Sequence, residues 1–146
     1  NQHTTPENKL FLQGLLENIP LQLGELKVLL VHGSPRKINE YLYEDRPESS
    51  LERIMDQAGV DVLVCGHTHI PYYRVLSSGR HVINAGSVGK PKDYDPRACY
   101  VILEVEGREL KARFVRVEYD IEQAALAIEA SAMPDEYAGM LRAGAG

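Results

Sequence analysis

The sequence predicts an α/β domain, and three observations carry that expectation. KVLLV (27–31) and VDVLVC (60–65) are apolar along almost their whole length, as strands covered on both faces are. A helical pattern over 50–58 lies between them, and the order strand–helix–strand implies parallel strands joined by a right-handed crossover. Two further pairs of apolar runs, each split by a glycine-containing turn, add antiparallel hairpins.

Taken in order, Thr5-Pro6-Glu7 opens a helix with a threonine cap and proline in the first turn. That helix is expected to run to about Asn18 and to be stopped by Pro20. LQL (21–23) then pairs with KVLLV across the tight turn at Gly24-Glu25. Ser49 and Glu52 have the spacing of a capping box for the helix at 50–58, and Gly59 ends it. YYRVL (72–76) and HVINA (81–85) form one hairpin about SSGR; ACYVILEV (98–105) and LKARFVRVEY (110–119) form another about EGRE. Asp120 caps a helix at 121–132, a short helix follows from Pro134, and the C-terminal AGAG is expected to fray.

At 146 residues the chain can bury roughly two-thirds of its unfolded surface as one domain over 1–146. With 44% hydrophobic and 25% charged residues it has the balance of a globular protein. The net charge of -5 argues against general nucleic-acid binding but allows a phosphate-bearing substrate, since a bound metal supplies local positive charge. Cys65 and Cys99 sit in apolar runs and read as buried, reduced thiols. No run reaches transmembrane length and no signal-peptide pattern opens the chain, so a cytoplasmic protein with no membrane partner is expected. NQHTTPENK, without an initiator Met, reads as mid-chain sequence.

Histidines carry the chemistry. In an extended strand end, His67 and His69 point to one side and Thr68 to the other. They follow the carboxyl end of a parallel strand, where open α/β sheets bind ligands. KVLLV ends in the same way, with His32 ahead of Gly33-Ser34-Pro35, so neighbouring strands would bring three imidazoles to one rim. Imidazole ligates zinc, iron, nickel and copper and tolerates manganese. His3, in a start expected to be mobile, and His81, alternating within a hairpin strand, read as ordinary surface or packing residues.

NAGSVGKP (84–91) fails as a phosphate loop, because Asn84 stands where Gly is required and Pro91 where Ser or Thr is required. Its backbone N–H groups either approach an anion or simply turn the chain between strands. Ser34 has no GxSxG elbow and no carboxylate spaced to orient His32, so serine hydrolysis is rejected. EYLYEDRPESS (40–50) reads as a solvated loop whose two tyrosines could line a cleft mouth.

VHGSP (31–35), CGHTHIP (65–71) and INAGSVGKPKDYDPRACY (83–100), in that order, resemble the calcineurin-like metallophosphoesterases, in particular their small bacterial phosphodiesterases. The likeness runs over nearly the whole chain. It implies the C-terminal half of a four-layer α/β/β/α sandwich with a two-metal centre at the strand ends. By the same resemblance His32 and His67 bind one metal, His69 binds the other, and Gly33, Gly66, Thr68, Asn84, Gly86 and Ser87 line the substrate site. It places no catalytic residue beyond the metal ligands. Ala85 stands where family members usually carry proline.

The family's DxH, GDxxD and GNH[DE] motifs, which supply the remaining ligands and the bridging aspartate, do not occur in this sequence. The chain is therefore expected to begin just after the third of them. Two divalent ions (manganese, iron, zinc or nickel) are expected in the complete protein and at most one in this chain. A metal pair ~3.5–4 Å apart needs bridging carboxylate or hydroxide charge that three imidazoles lack. The implied reaction is hydrolysis of a small phosphate ester, a diester foremost, by a metal-bridging hydroxide. The alternatives are a non-catalytic scaffold of the same fold, as in a retromer subunit, or a fragment completed by its missing N-terminal half or a second copy.

Overall fold

The structure, a computed structural model, describes residues 4–146; His3 lies outside the described residues. The first helix, α1 (Pro6–Gln13), is capped as expected, the Thr5 hydroxyl accepting from the Asn8 N–H at 3.2 Å. It ends at Gly14, well before Asn18, because strand β1 (Asn18–Leu23) takes over the next residues. Pro20 sits inside that strand, opposite Leu29. Proline cannot donate a ladder hydrogen bond, but β1 lies at the sheet edge and needs only one bonded side.

β1 returns through Gly24-Glu25 into β2 (Leu26–Val31), antiparallel from Asn18 opposite Val31 to Leu23 opposite Leu26. Helix α2 (Glu48–Ala58) begins at Glu48 after Pro47, and no side chain caps it. Ser49 thus lies within the helix, and its spacing to Glu52 is no capping box. Leu51, Ile54 and Met55 form its buried stripe at i, i+3 and i+4. Gly59, at φ 67, closes the helix, its N–H reaching the Met55 carbonyl at 2.8 Å.

Strand β3 (Val62–Cys65) follows and pairs in parallel with β2, Val28–Leu30 against Val62–Val64. The hairpin of β4 (Tyr72–Val75) and β5 (His81–Asn84) adds to the other side of β3, giving the order β1-β2-β3-β5-β4. β6 (Ala98–Glu106) and β7 (Glu109–Val117) make a separate antiparallel ribbon. Helix α3 (Ile121–Glu129) is capped by Asp120, which accepts from the Gln123 N–H at 2.8 Å; α4 (Glu136–Ala143) follows.

Alternation in β3 sets the layers. Leu63 and Cys65 pack with Leu51, Ile54 and Met55 of α2, while Val62 and Val64 pack with Val101, Leu103, Leu110 and Phe114 of the ribbon. α3 and α4 bury Ala125, Ala138 and Leu141 between them. Both cysteines are buried and reduced, and burial pushes the Cys65 thiol up to about 11. Among the described residues no helix is long and apolar enough to cross a membrane.

Two loops differ from expectation. The acidic run 40–50 is anchored: Leu42 is fully buried against α2, and Tyr72 Oη donates to its carbonyl at 2.9 Å. A single leucine among charges gives no periodicity to read. The C-terminal AGAG is also tied down, with Gly144 buried and accepting from the Tyr94 N–H at 2.8 Å.

Candidate metal centre

Because β2 and β3 run parallel, their carboxyl ends meet at one edge of the sheet, and the Gly66 N–H reaches the His32 carbonyl at 2.8 Å. Beyond that bond His32 Nε2 lies 3.0 Å from His67 Nδ1, the rings 4.9 Å apart edge to face. One nitrogen of this pair carries the shared proton and the other a lone pair. Burial first, then the neighbouring His67 and His69, pushes the His32 imidazole below its ordinary value. It is therefore kept in the neutral form that a metal requires.

The backbone around His67 and His69 is not the extended strand end that the spacing implies. β3 stops at Cys65, and both histidines are left-handed, at φ 65 and 61. The cause is a tight turn: the Thr68 N–H bonds to the Gly66 carbonyl at 2.7 Å, and Thr68 Oγ1 accepts from the Ile70 N–H at 3.1 Å. Thr68 is only 2% exposed, so its hydroxyl serves the turn. Such a conformation costs a non-glycine residue about 1 kcal/mol.

His69 is turned toward a different partner. Its Nδ1 lies 2.7 Å from the Lys90 carbonyl, which can only accept, so Nδ1 holds the proton and Nε2 is left with a lone pair. The same loop takes its carbonyl, which accepts from the Lys92 N–H at 3.2 Å. The fold thus brings His32 and His67 into contact and sets His69 apart on the Lys90 loop. Among the described residues no group of three His, Cys, Asp or Glu side chains is arranged to hold a metal.

The other sequence-derived site residues are mostly structural here. Asn84 is fully buried, its Nδ2 donating to the Gly66 carbonyl at 2.7 Å and its Oδ1 accepting from the Gly86 N–H at 3.0 Å. Gly86 needs its positive φ of 75. Ser87 Oγ accepts from the Lys90 N–H at 2.9 Å, which shapes the loop that grips His69. Gly33 is buried beneath the turn at 38–40.

That turn is braced by Glu40, which sequence reasoning left in a solvated run. Its carboxylate accepts from Ser34 Oγ at 2.5 Å and from Arg46 at 3.0 Å, and it also pairs with Arg36. Burial works against ionisation, but the hydrogen bonds from Arg36 and Ser34 and the charges of Arg36 and Arg46 hold it at about 2, below its ordinary value of 4.5. A depressed carboxyl stabilises the fold above its unfolded value, and that stability is lost as pH falls from 4.5 toward about 2. Glu40→Gln is expected to cost about 1–2 kcal/mol at pH 7 after solvent screening, and to flatten the acid limb of a pH series of urea unfolding curves.

Three carboxylates are paired with arginines, Glu40 as above, Asp93 with Arg116 and Asp95 with Arg97, while Glu17 lines a cavity beside His32. Two nitrogens bound to one tetrahedral ion at about 2.1 Å lie about 3.4 Å apart, so the His32–His67 pair, hydrogen-bonded at 3.0 Å, stands near that spacing. Sequence spacing held no signal for the Lys90 carbonyl, nor for the Tyr41 ring, which lies 4.2 Å from that of His67.

Comparison with known proteins bears on the family and the fold. The model of the calcineurin-like phosphoesterase superfamily domain matches residues 4–108. A probable metallophosphoesterase of Methanothermobacter thermautotrophicus is 29% identical over 112 residues, covering 77% of this chain and 54% of that protein. The crystal structure of a metallophosphoesterase from Sphaerobacter thermophilus is 29% identical, with a TM-score of 0.77 over 98% of this chain and 63% of that one. Vps29 of Entamoeba histolytica, in complex with Zn2+, is 26% identical, with a TM-score of 0.52 over 71% of this chain and 62% of that one. The chain spans about half the length of the curated relatives it matches.

Proposed function

The chain belongs to the calcineurin-like phosphoesterase superfamily, and on that premise we propose that it supplies the imidazole ligands of a metal-dependent phosphoesterase. The observation that carries the reading is the 3.0 Å contact of His32 Nε2 with His67 Nδ1, which brings two imidazole nitrogens within reach of one ion. His32 and His67 hold one divalent metal, and His69, whose Nδ1 donates to the Lys90 carbonyl and so turns Nε2 outward as the ligating nitrogen, serves a second. A zinc complex of a protein of similar fold supports zinc among the candidates, alongside manganese, iron and nickel.

When bound, the metals would lower the pKa of water and offset phosphate charge. The chain's own residues hold and orient. Asn84 ties the loop before His67 to the loop at Gly86, and Thr68 fixes the turn that carries His67 and His69. Gly33, Gly66 and Ser87 hold the backbone around them. The substrate is a small phosphate ester, a diester foremost, and the reaction is cytoplasmic. The carboxylates of the centre come from the N-terminal part of a longer protein or from a second copy, a reading supported by the lack, among the described residues, of any group of three His, Cys, Asp or Glu side chains arranged to hold a metal. A purely non-catalytic scaffold would leave the His32–His67 contact without a catalytic role.

Calorimetric titration of the purified chain with Zn2+ tests this. The expected result is no more than one equivalent bound, with the dissociation constant raised at least tenfold in His32→Ala. Uptake of two equivalents would overturn the incomplete centre. No uptake, or uptake indifferent to His32→Ala, would overturn the ligand assignment.

A further inference from the structure

Lys90 is held at three points by three parts of the chain. Its N–H donates to Ser87 Oγ at 2.9 Å, its carbonyl accepts from His69 Nδ1 at 2.7 Å, and its ammonium lies 4.8 Å from the centre of the Tyr137 ring. Tyr137 is half-buried in the first turn of α4. A cation over an aromatic face is attracted to it, so the helix holds Lys90 from the side opposite to its backbone bonds.

The C-terminal end of α4 grips the same loop. Gly144 is left-handed, at φ 59, and its carbonyl accepts from the Tyr94 N–H at 2.8 Å. It lies flush on the loop backbone: a Cβ there would stand 2.7 Å from the Asp95 carbonyl carbon and 2.8 Å from the Pro96 nitrogen. Between these anchors the Lys92 N–H donates to the His69 carbonyl at 3.2 Å. Residues 90–96 therefore meet His69 through Lys90 and Lys92, and α4 with its cap through Lys90, Tyr94 and Asp95. The helix is itself fastened, with Ala138 and Leu141 buried against α3 and Arg142 paired with Glu122 and Glu129.

An imidazole has two nitrogens, and the partner of one decides which of them is left to bind a metal. We propose that α4, acting through Tyr137, Gly144 and the loop at 90–96, positions His69. It holds the Lys90 carbonyl where that oxygen captures the Nδ1 proton, and so keeps Nε2 available as a ligand. Tyr137 and Gly144 are positioning residues and touch no reacting atom. It rests on the reading of His69 as a metal ligand for its consequence, a second metal site that depends on the C-terminal helix.

The test is a long-range 1H–15N spectrum of the imidazoles in the full chain without metal, at about pH 8, above the titration range of an ordinary imidazole. The ring nitrogens of His69 are expected as a widely split pair with Nδ1 protonated, the signature of a single tautomer. Gly144→Ala forces the loop at 95–96 away, and Tyr137→Leu removes the ring beneath the ammonium. Each is expected to draw the pair together as the two tautomers mix, while Tyr137→Phe keeps the wild-type split. Zn2+ uptake that depends on His32 should be unchanged in all three variants. Should Gly144→Ala lose the native circular dichroism spectrum, Tyr137→Leu against Tyr137→Phe carries the test.

A His69 that keeps its split in a folded Gly144→Ala or in Tyr137→Leu would overturn the positioning role. So would a wild-type His69 whose nitrogens are not split. Loss of Zn2+ uptake together with the split would assign the two residues to general folding and overturn it as well. Zn2+ uptake indifferent to His32→Ala would remove the phosphoesterase reading whatever the His69 spectrum, so the two readings fail by separate measurements.

Discussion

Asn84→Ala is expected to destabilise the fold by about 3 kcal/mol, measured by urea unfolding followed by circular dichroism. Asn84 is 0% exposed and bridges two segments: Nδ2 donates to the Gly66 carbonyl and Oδ1 accepts from the Gly86 N–H. Truncation strands both backbone groups, at about 1–3 kcal/mol each, and leaves a small void between β3 and β5. Cys65, its partner in the parallel register, cannot repair the loss, because its thiol is a weak donor held neutral by burial. The m-value should be unchanged, since the core stays whole. A cost below 1 kcal/mol would show that water or a relaxed loop takes over the two groups.

Gly33→Ala is expected to cost about 3 kcal/mol through crowding, and to lower the melting temperature by roughly 10 °C. A Cβ at that position would stand 2.5 Å from the Ile38 carbonyl oxygen, 2.8 Å from its carbon and 2.9 Å from the Glu40 nitrogen. All three are backbone atoms, so no rotamer change relieves the contact. The turn itself must move, and with it Glu40, which braces Ser34, Arg36 and Arg46 beside His32. Alanine at Gly89, where a Cβ meets nothing within 4 Å, is the control for helixless loop glycines and should leave the melting temperature within about 1 °C.

Much of the architecture was legible because it rests on periodicity. Leu51, Ile54 and Met55 have the spacing of a helix face, and the unbroken apolar runs of β2 and β3 announce a sheet covered on both sides. The errors have local causes. Pro20 reads as a helix stop, yet an edge strand accepts it; Ser49 reads as a cap, yet the helix starts two residues earlier, after Pro47. At the site, histidine identity and strand ends placed His32 and His67 together, since parallel pairing follows from a strand–helix–strand order. The left-handed turn at His67 and His69 was hidden, because Thr68 sets it through its own hydroxyl. Leu42, Lys90 and Arg46 act through carbonyls or across many residues, and single-chain spacing carries no trace of such contacts.

The left-handed backbone of His67 and His69 also bears on how this chain would drift under selection. At φ 65 and 61 glycine sits at ease and an imidazole does not, so both positions hold a residue the local conformation disfavours. A library sorted for heat tolerance alone would therefore be drawn toward glycine at both sites, and would enrich sturdier chains that had discarded the two imidazoles we propose as ligands. Directed evolution of this scaffold has to be scored on metal uptake alongside survival, or it will select the centre away.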